Sequence, residues 1–214
     1  LARCSCEFLF YRTNFRDLNT ALDSLGIQKV NRVLFDLGVS SEQLEESGRG
    51  FSFQRDEPLL MTMTKNPDED TLTAARIANE WDAENIETIL RSYGEERAAK
   101  RIAQAIVAAR AKKPILTSRE LAELIERTVR RRGRIHPATK TFQALRIAVN
   151  DEFRALQEAL PKAWERLEKG GRLAVISFQS IEDRQVKRFF RGKAKAENGL
   201  LIAKKPIAPS KAEV

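Results

Sequence analysis

Cysteine and histidine are scarce in this 214-residue chain, which contains two Cys and one His. Cys4 and Cys6 are too few for a disulfide framework, and with one His they do not make a structural zinc site. We therefore expect no structural metal and a reducing, cytoplasmic setting. Every apolar run falls well short of the ~20 residues that a transmembrane helix requires, so we expect no membrane partner.

Two further features are missing. The chain starts at Leu1 without Met and without the apolar core of a signal peptide, and we expect it to be incomplete at its N-terminus. It also contains no Gly-x-Gly-x-x-Gly motif, which disfavours a dinucleotide-binding dehydrogenase.

Basic residues, in contrast, are abundant. Lys and Arg number 38 against 30 Asp and Glu, which gives a net charge of +8 and a pI near 9.7. The cations form three clusters, at Arg130–Arg132 with Arg134, at Lys187–Lys195 and at Lys204–Lys205. One such run is usually a solvated face, but three in a chain of this length favour a nucleic-acid partner.

The stretch Val30–Ser41 organises the rest of the sequence. Val33, Leu34 and Phe35 form a short apolar run that predicts a buried parallel strand, and Asp36 follows it directly. In open α/β sheets, ligands bind beyond the carboxyl ends of such strands. These residues alone leave open whether Asp36 binds a ligand or caps a turn.

The flanking segments alternate between strand and helix. Cys6–Tyr11 predicts a strand, and the spacing of Leu18, Leu22 and Leu25 predicts a helix that ends at Gly26. Together with the strand at Val30, this order is typical of a βαβ unit and of an α/β fold.

The middle of the chain predicts helices without strands between them. Ile86–Gly94 and Ala98–Ala109 show helical spacing, and Thr117 with Glu120 predicts a capping box that opens a third helix. This pattern indicates an all-α segment inserted into the α/β fold.

The α/β pattern resumes near the C-terminus. Phe142–Trp164 predicts one long helix ended by Gly170–Gly171, and Arg172–Phe178 predicts a second buried strand. Ile181–Phe190 predicts a final helix. Polar groups at the ends of both strands are then expected at one edge of the sheet.

Five motifs between Asn14 and Arg191 carry a resemblance to one family. The motifs are Val33–Gln43, Arg49–Asp56, Tyr93–Arg97, His136–Asp151 and Gly170–Arg188. Together they resemble the bacterial small-subunit ribosomal RNA cytosine-N4 methyltransferases, or methyltransferase H family. The resemblance implies a class I, Rossmann-like methyltransferase core that is incomplete at the N-terminus and carries an inserted all-α domain. It further implies S-adenosyl-L-methionine as donor and a cytosine in the decoding centre of small-subunit (16S) ribosomal RNA as acceptor.

The resemblance also implies a domain organisation. Residues 1–48 are expected to form the first part of the methyltransferase core and residues 146–214 the second part. Residues 49–145 are expected to form the helical insertion that contacts the RNA substrate.

The family's cofactor contacts fall on Phe15, Asp36 and Gln43. The ring of Phe15 offers a face for adenine stacking. Asp36 is the expected catalytic residue, either accepting a hydrogen bond from the reacting amine or holding the donor.

The expected RNA contacts are basic. They are the Arg130, Arg131 and Arg132 cluster together with His136 and Lys140. His136 precedes a Pro, and its alternative role is that of a residue at the entry of a helix.

The chain also departs from the family pattern. The family's glycine-rich motif and the acidic residue after it fall upstream of Leu1, Leu59–Thr64 replaces a more charged segment, and Gln179 replaces a His. An alternative is therefore a non-catalytic RNA-binding remnant of the fold that has lost the donor site. We expect this chain alone to be inactive and to self-associate through an uncovered strand edge.

Overall fold

The computed structural model describes residues 8–40, 47–129, 135–203 and 205–210. In this part of the chain it contains a parallel two-stranded sheet and eight α-helices, which confirms the α/β prediction. The strands are β1 (Val30–Asp36) and β2 (Leu167–Ile176). The helices are α1 (Leu18–Ser24), α2 (Ala74–Glu80), α3 (Ala83–Gly94), α4 (Ala99–Arg110), α5 (Ser118–Thr128), α6 (Thr139–Asn150), α7 (Glu152–Arg166) and α8 (Ser180–Lys195).

The chain divides into two compact units. The sheet unit consists of Leu1–Gly38 and Arg154–Val214, and the helical unit consists of Val39–Phe153. The predicted domains, 1–48, 49–145 and 146–214, place the boundaries about eight to ten residues away from these positions along the chain and remain a prediction.

In the sheet unit, β1 and β2 run parallel in register, with Phe35 opposite Val175 and Asp36 opposite Ile176. Because side chains alternate between the two faces of a strand, one face of each strand can pack on helices. That face contacts apolar residues of α7 and α8. The resulting core contains Phe35, Leu37, Leu156, Ala159, Leu160, Ala163 and Val186, with Val33, Leu173 and Val175 partly buried against it.

The other face of the sheet is open to solvent. Leu34 is 64% exposed and Ile176 is 43% exposed, whereas Phe35 is only 7% exposed. The predicted buried parallel strand is present and parallel, but in the described part of the chain it is buried on one face only, because the helices of the sheet unit cover that face.

Side-chain caps start three helices of the helical unit. Thr73 accepts a hydrogen bond from a backbone N–H of α2, and Asp82 does the same for α3. At α5, Thr117 accepts from the N–H of Glu120 (3.3 Å) while the Glu120 carboxylate accepts from the N–H of Thr117 (3.2 Å). The predicted capping box is thus confirmed, and four otherwise unpaired backbone donors are satisfied.

The core of the helical unit is continuous and apolar. Helix α3 packs against α4 and α6, and Gly94 lies against Lys140 and Ala144 of α6. A Cβ atom at Gly94 would lie 2.5 Å from the carbonyl oxygen of Lys140, so only glycine fits there. The fully buried large side chains of this core are Leu59, Met61, Ile77, Ile86, Leu90, Ile102, Ile106, Leu121, Ile125 and Leu145.

The long helix predicted from Phe142 to Trp164 is two helices. Asp151 separates α6 from α7 and adopts a left-handed backbone conformation with φ of +50°. The Arg146 guanidinium bridges the break, donating to both carboxylate oxygens of Glu152 at 2.8 Å. Asp can occupy this conformation at modest cost, and the bidentate ion pair stabilises the turn.

Three other boundaries differ from the sequence prediction. Phe8–Tyr11 forms no strand; Phe8 and Phe10 are largely exposed. Helix α7 ends at Arg166, and Gly170–Gly171 lies inside β2, where the pairing with β1 is irregular between Val30 and Arg32. The second strand therefore begins five residues before the predicted Arg172.

Candidate active site

Asp36 is the last residue of β1, at the carboxyl end of the sheet. It lies opposite Ile176, and the N–H of Leu37 donates to the carbonyl of Ile176 at 3.1 Å, so the strand pairing continues past it. The neighbours Phe35 and Leu37 are both buried and fix the backbone. By alternation, the Asp36 carboxylate lies on the exposed face, where it is available to a ligand.

Phe15 is positioned at the same end of β1. It begins a 3-10 helix, Phe15–Asp17, in which Asn14 accepts a hydrogen bond from the N–H of Arg16 at 3.0 Å. The Phe15 ring lies 5.6 Å from the ring of Phe35, centroid to centroid, at an angle of 46°. Since Phe35 directly precedes Asp36, the structure brings two of the predicted site residues to one strand end. Phe15 remains 36% exposed, so part of its ring is free to stack.

Helix α7 holds this segment in place. The Lys162 ammonium donates to the carbonyl of Arg16 at 2.6 Å. The Arg166 guanidinium donates to the side-chain oxygen of Asn19 at 3.0 Å and to the carboxylate of Asp23 at 2.5 Å. These charge-assisted bonds tie the 3-10 helix and α1 to α7, so the position of Phe15 does not depend on its own ring contact alone.

Phe178 completes this strand end and was not singled out by the sequence. It lies two residues beyond β2, is 74% exposed, and its ring would be 3.6 Å from a Cβ atom at Gly38. Gly38 has φ of +106°, a conformation that other residues rarely adopt. The N–H of Phe178 donates to the buried carboxylate of Glu182 at 3.4 Å. An aromatic residue just past a strand end was the signal that could have identified it.

Four of the predicted residues lie outside the described part of the chain. These are the cofactor candidate Gln43 and the RNA candidates Arg130, Arg131 and Arg132. Their roles stay predictions.

His136 has a structural environment in the helical unit. Its Nδ1 accepts from the N–H of Ala138 at 3.1 Å, and its Nε2 lies 2.7 Å from a carboxylate oxygen of Glu126. An imidazole whose Nδ1 accepts carries its proton on Nε2, which then donates to Glu126. The ring also stacks on Phe53 at 4.2 Å. This geometry favours the alternative role of His136 as an entry residue of α6.

Lys140 is the second residue of α6 and also has a partner. Its ammonium donates to the carbonyl of Glu95 at 2.9 Å, directly after the end of α3. A cation at the C-terminal end of a helix is favoured by the helix dipole. Lys140 thus contributes to the packing of α3 on α6, and an RNA contact by this residue remains a prediction.

Hydrogen bonds hold the loop Leu59–Thr64, which was expected to depart from the family pattern, in the helical unit. Met61 is fully buried with φ of +57°, and the Asn150 side chain donates to its carbonyl at 2.7 Å. Asn150 also accepts from the N–H of Met63 at 2.8 Å. The Arg49 guanidinium donates to the carbonyls of Thr62 and Met63 at 2.6 and 2.8 Å. Arg49 and Asn150 are therefore structural anchors of this loop.

In the described ranges, no group of three or more His, Cys, Asp and Glu side chains is arranged to hold a metal ion, and no helix has the length and apolarity to cross a membrane. A cavity of about 90 Å³ lies in the helical unit between Trp81, Tyr93 and Phe153. It is lined by none of the candidate residues that the structure describes.

Comparison with known proteins identifies the family. The model of the MraW methylase family matches residues 1–214. The chain is 47% identical to the ribosomal RNA small subunit methyltransferase H of Persephonella marina, covering 97% of the chain and 71% of that relative. It is 52% identical to the protein of the same name from Heliobacterium modesticaldum, covering 86% of the chain and 59% of that relative. The chain belongs to the MraW methylase family.

Proposed function

We propose that the protein transfers a methyl group from S-adenosyl-L-methionine to the N4 amine of a cytosine in the decoding centre of small-subunit ribosomal RNA. The observation that carries this proposal is the exposed Asp36 carboxylate at the carboxyl end of β1 with the half-exposed Phe15 ring beside it. Family membership and the names of the relatives support the reaction class. The sheet unit would be part of a class I methyltransferase core, and the helical unit its inserted domain.

The residues at this strand end fit the proposed donor. The donor joins a flat adenine to a chain with a sulfonium and an ammonium, so it needs an aromatic face and a carboxylate. Phe15 offers the face and Asp36 the carboxylate, and Gly38 lets the backbone approach closely. Gln43 is the third proposed contact.

The chemistry requires alignment and a hydrogen-bond acceptor. The N4 amine of cytosine is a weak nucleophile because its lone pair is delocalised into the ring. The donor supplies an electrophilic methyl group on sulfur. As the N–C bond forms and the C–S bond breaks, the amine becomes positive and must lose a proton. Asp36 is the proposed acceptor for this N–H, and its fixed position at the strand end reduces the cost of alignment.

The proposed substrate also explains the charge of the chain. A net charge of +8 attracts a polyanion, and Arg130–Arg132 would contact phosphates. His136 and Lys140 are secondary RNA candidates. The target base must leave its stack to reach the donor, as in other enzymes that modify bases. The protein would act in the cytoplasm, where ribosomal RNA is assembled into ribosomal subunits.

Asp36 provides the test of this function. In the full-length protein, we expect Asp36→Ala to lower methyl transfer to small-subunit ribosomal RNA by roughly a hundred-fold or more, because a preorganised acceptor for developing charge is lost. RNA affinity should persist, since the carboxylate does not attract phosphates. Tritiated methyl incorporation measures the first quantity, and a filter-binding titration measures the second.

Two controls define the role of Asp36. Asp70→Ala removes an equal charge from an exposed position of the helical unit and should leave turnover unchanged. Calorimetry of donor binding to Asp36→Asn separates the acceptor role, in which the donor still binds, from the donor-holding role. Near-normal turnover in Asp36→Ala would remove this residue from the mechanism. An unmodified full-length protein that binds RNA but neither binds donor nor transfers methyl would favour the non-catalytic remnant.

A further inference from the structure

Helix α8 of the sheet unit carries a straight row of exposed cations. Arg184, Arg188, Arg191 and Lys195 follow one another at intervals of four, three and four residues, and all four are exposed. Residues at these intervals lie on one side of a helix. At about 1.5 Å per residue the row extends roughly 16 Å. We call it the α8 stripe.

The other charged residues of α8 are directed elsewhere. The ammonium of Lys187 pairs with the carboxylate of Asp183 at 2.5 Å, and the ammonium of Lys193 lies over the rings of Trp164 and Phe189 at 5.4 and 5.5 Å. Glu182, the remaining acid of the helix, is buried. The α8 stripe is therefore a face of four exposed cations with no acidic residue of its own helix among them, and Arg184 also interacts within the protein.

The opposite side of α8 fixes the stripe relative to the sheet. Val186 is buried in the core of the sheet unit, with Phe189 and Phe190 packed against that core. The helix begins at Ser180, four residues beyond Ile176, the partner of Asp36 in the sheet. The stripe thus starts with Arg184 near the strand ends that carry the candidate active site and continues toward Lys195.

We propose that the α8 stripe binds consecutive phosphates of the RNA strand that carries the target base. This inference rests on the proposed function, because it assigns a path for the same RNA. Four evenly placed cations match a polyanion with a regular spacing of charge, and the sheet unit supplies the contact beside its own candidate site. The stripe is distinct in sequence from Arg130–Arg132, which precede it by more than fifty residues.

Two double variants test the stripe with equal loss of charge from one helix. In Arg188→Gln with Arg191→Gln, we expect weaker binding to a small-subunit ribosomal RNA transcript. The slope of log affinity against log salt should become shallower by roughly 1.4 to 1.8, because each lost phosphate contact removes about 0.7 to 0.9. Lys187→Gln with Lys193→Gln should change the slope by far less. Circular dichroism melts confirm that both variants fold.

The outcomes separate this inference from the proposed function. RNA binding is titrated without donor, and methyl transfer is measured in parallel across RNA concentrations. In the stripe variant, KM for RNA should rise and kcat should stay nearly unchanged. If the unmodified protein transfers methyl but the stripe variant keeps the salt-dependence slope and the KM, the proposed RNA path along the α8 stripe is wrong. The proposed function then stands. If the slope depends on the α8 stripe but the full-length protein transfers no methyl, the proposed function is wrong and the proposed RNA path along the stripe stands. Equal loss of slope in both double variants would also overturn the stripe, because it would mean a general charge effect.

Discussion

The helical unit and the sheet unit differ in how far their apolar side chains are buried. In the helical unit, Leu59, Ile77, Ile86 and Leu90 are all at 0% exposure, enclosed by helices that follow one another along the chain. In the sheet unit, Leu34 at the centre of β1 is 64% exposed. Two leucines in the middle of regular elements, Leu90 and Leu34, therefore have very different environments.

This contrast shows that a core of helices can be enclosed by neighbouring sequence, whereas a sheet depends on strands that are distant along the chain. Helices satisfy their backbone hydrogen bonds within themselves, so short amphipathic helices joined by capped turns can enclose a core from neighbouring sequence. A strand needs partners from elsewhere, and β1 pairs with β2 across more than 130 residues. The described part of the sheet has one covered face, and the exposed face is where Asp36 lies.

The largest expected effect is a loss of stability in the helical unit. Leu90→Ala should lower the free energy of unfolding of this unit by about 2–5 kcal/mol, because it leaves a cavity in an enclosed core. Leu34→Ala, the same substitution in β1, should cost less than about 1 kcal/mol, because the side chain is already mostly hydrated.

The two tryptophans allow each unit to be followed separately. Trp81 reports on the helical unit and Trp164 on the sheet unit, so urea unfolding is measured by fluorescence in Trp164→Phe and Trp81→Phe backgrounds. Equal costs for Leu90→Ala and Leu34→Ala would contradict the contrast between the two units.

A substitution on the exposed sheet face should have an intermediate effect, and this effect should be on self-association rather than on stability. Leu34→Lys should reduce concentration-dependent self-association in sedimentation experiments, since it places a charge on a flat apolar surface beside a strand edge. Unfolding free energy should change by no more than about 0.5 kcal/mol. Leu116→Lys adds the same charge at a 57%-exposed position of the helical unit and is the control. A similar reduction by both variants would mean that net charge, not this face, controls association.

The helices were largely predictable because caps and apolar spacing are local signals. Thr117 and Glu120 predict the start of α5, and Gly26 and Gly94 lie at the ends of predicted helices. The break at Asp151 was not predictable from spacing, because Val149 and Phe153 continue the apolar pattern across it. The ion pair of Arg146 with Glu152 becomes visible only in three dimensions.

The candidate site was predictable in part, for the same reason. Asp36 could be located because an apolar run ended directly before it, and Phe15 because of the motif around it. The contact of Phe15 with Phe35 depends on how α1 packs on α7 through Arg166, and no local pattern encodes that packing. Phe178 was missed because β2 ends two residues earlier than predicted, which leaves this ring exposed.

The smallest expected effect concerns acid stability at the start of α5. Hydrogen bonds from the Lys113 ammonium and from the N–H of Leu116 hold the pKa of Glu120 below its ordinary value. A carboxyl whose pKa is lowered by folding contributes stability above its unfolded pKa, about 4.3, and loses it as the pH falls through the folded value. The helical unit should therefore lose a small amount of stability in acid through this group.

Glu120→Gln isolates this contribution. A glutamine side chain can still accept the N–H of Thr117, so the capping box remains, but the group no longer titrates. We expect a flatter stability profile below about pH 5, with a difference under about 1 kcal/mol because the pair with Lys113 is largely exposed. Glu123→Gln removes an equal charge from an exposed position of the same helix and should leave the slope unchanged. Identical profiles for Glu120→Gln and the unmodified protein, measured by Trp81 fluorescence, would show that the charge of Glu120 contributes nothing to the stability of the helical unit in acid.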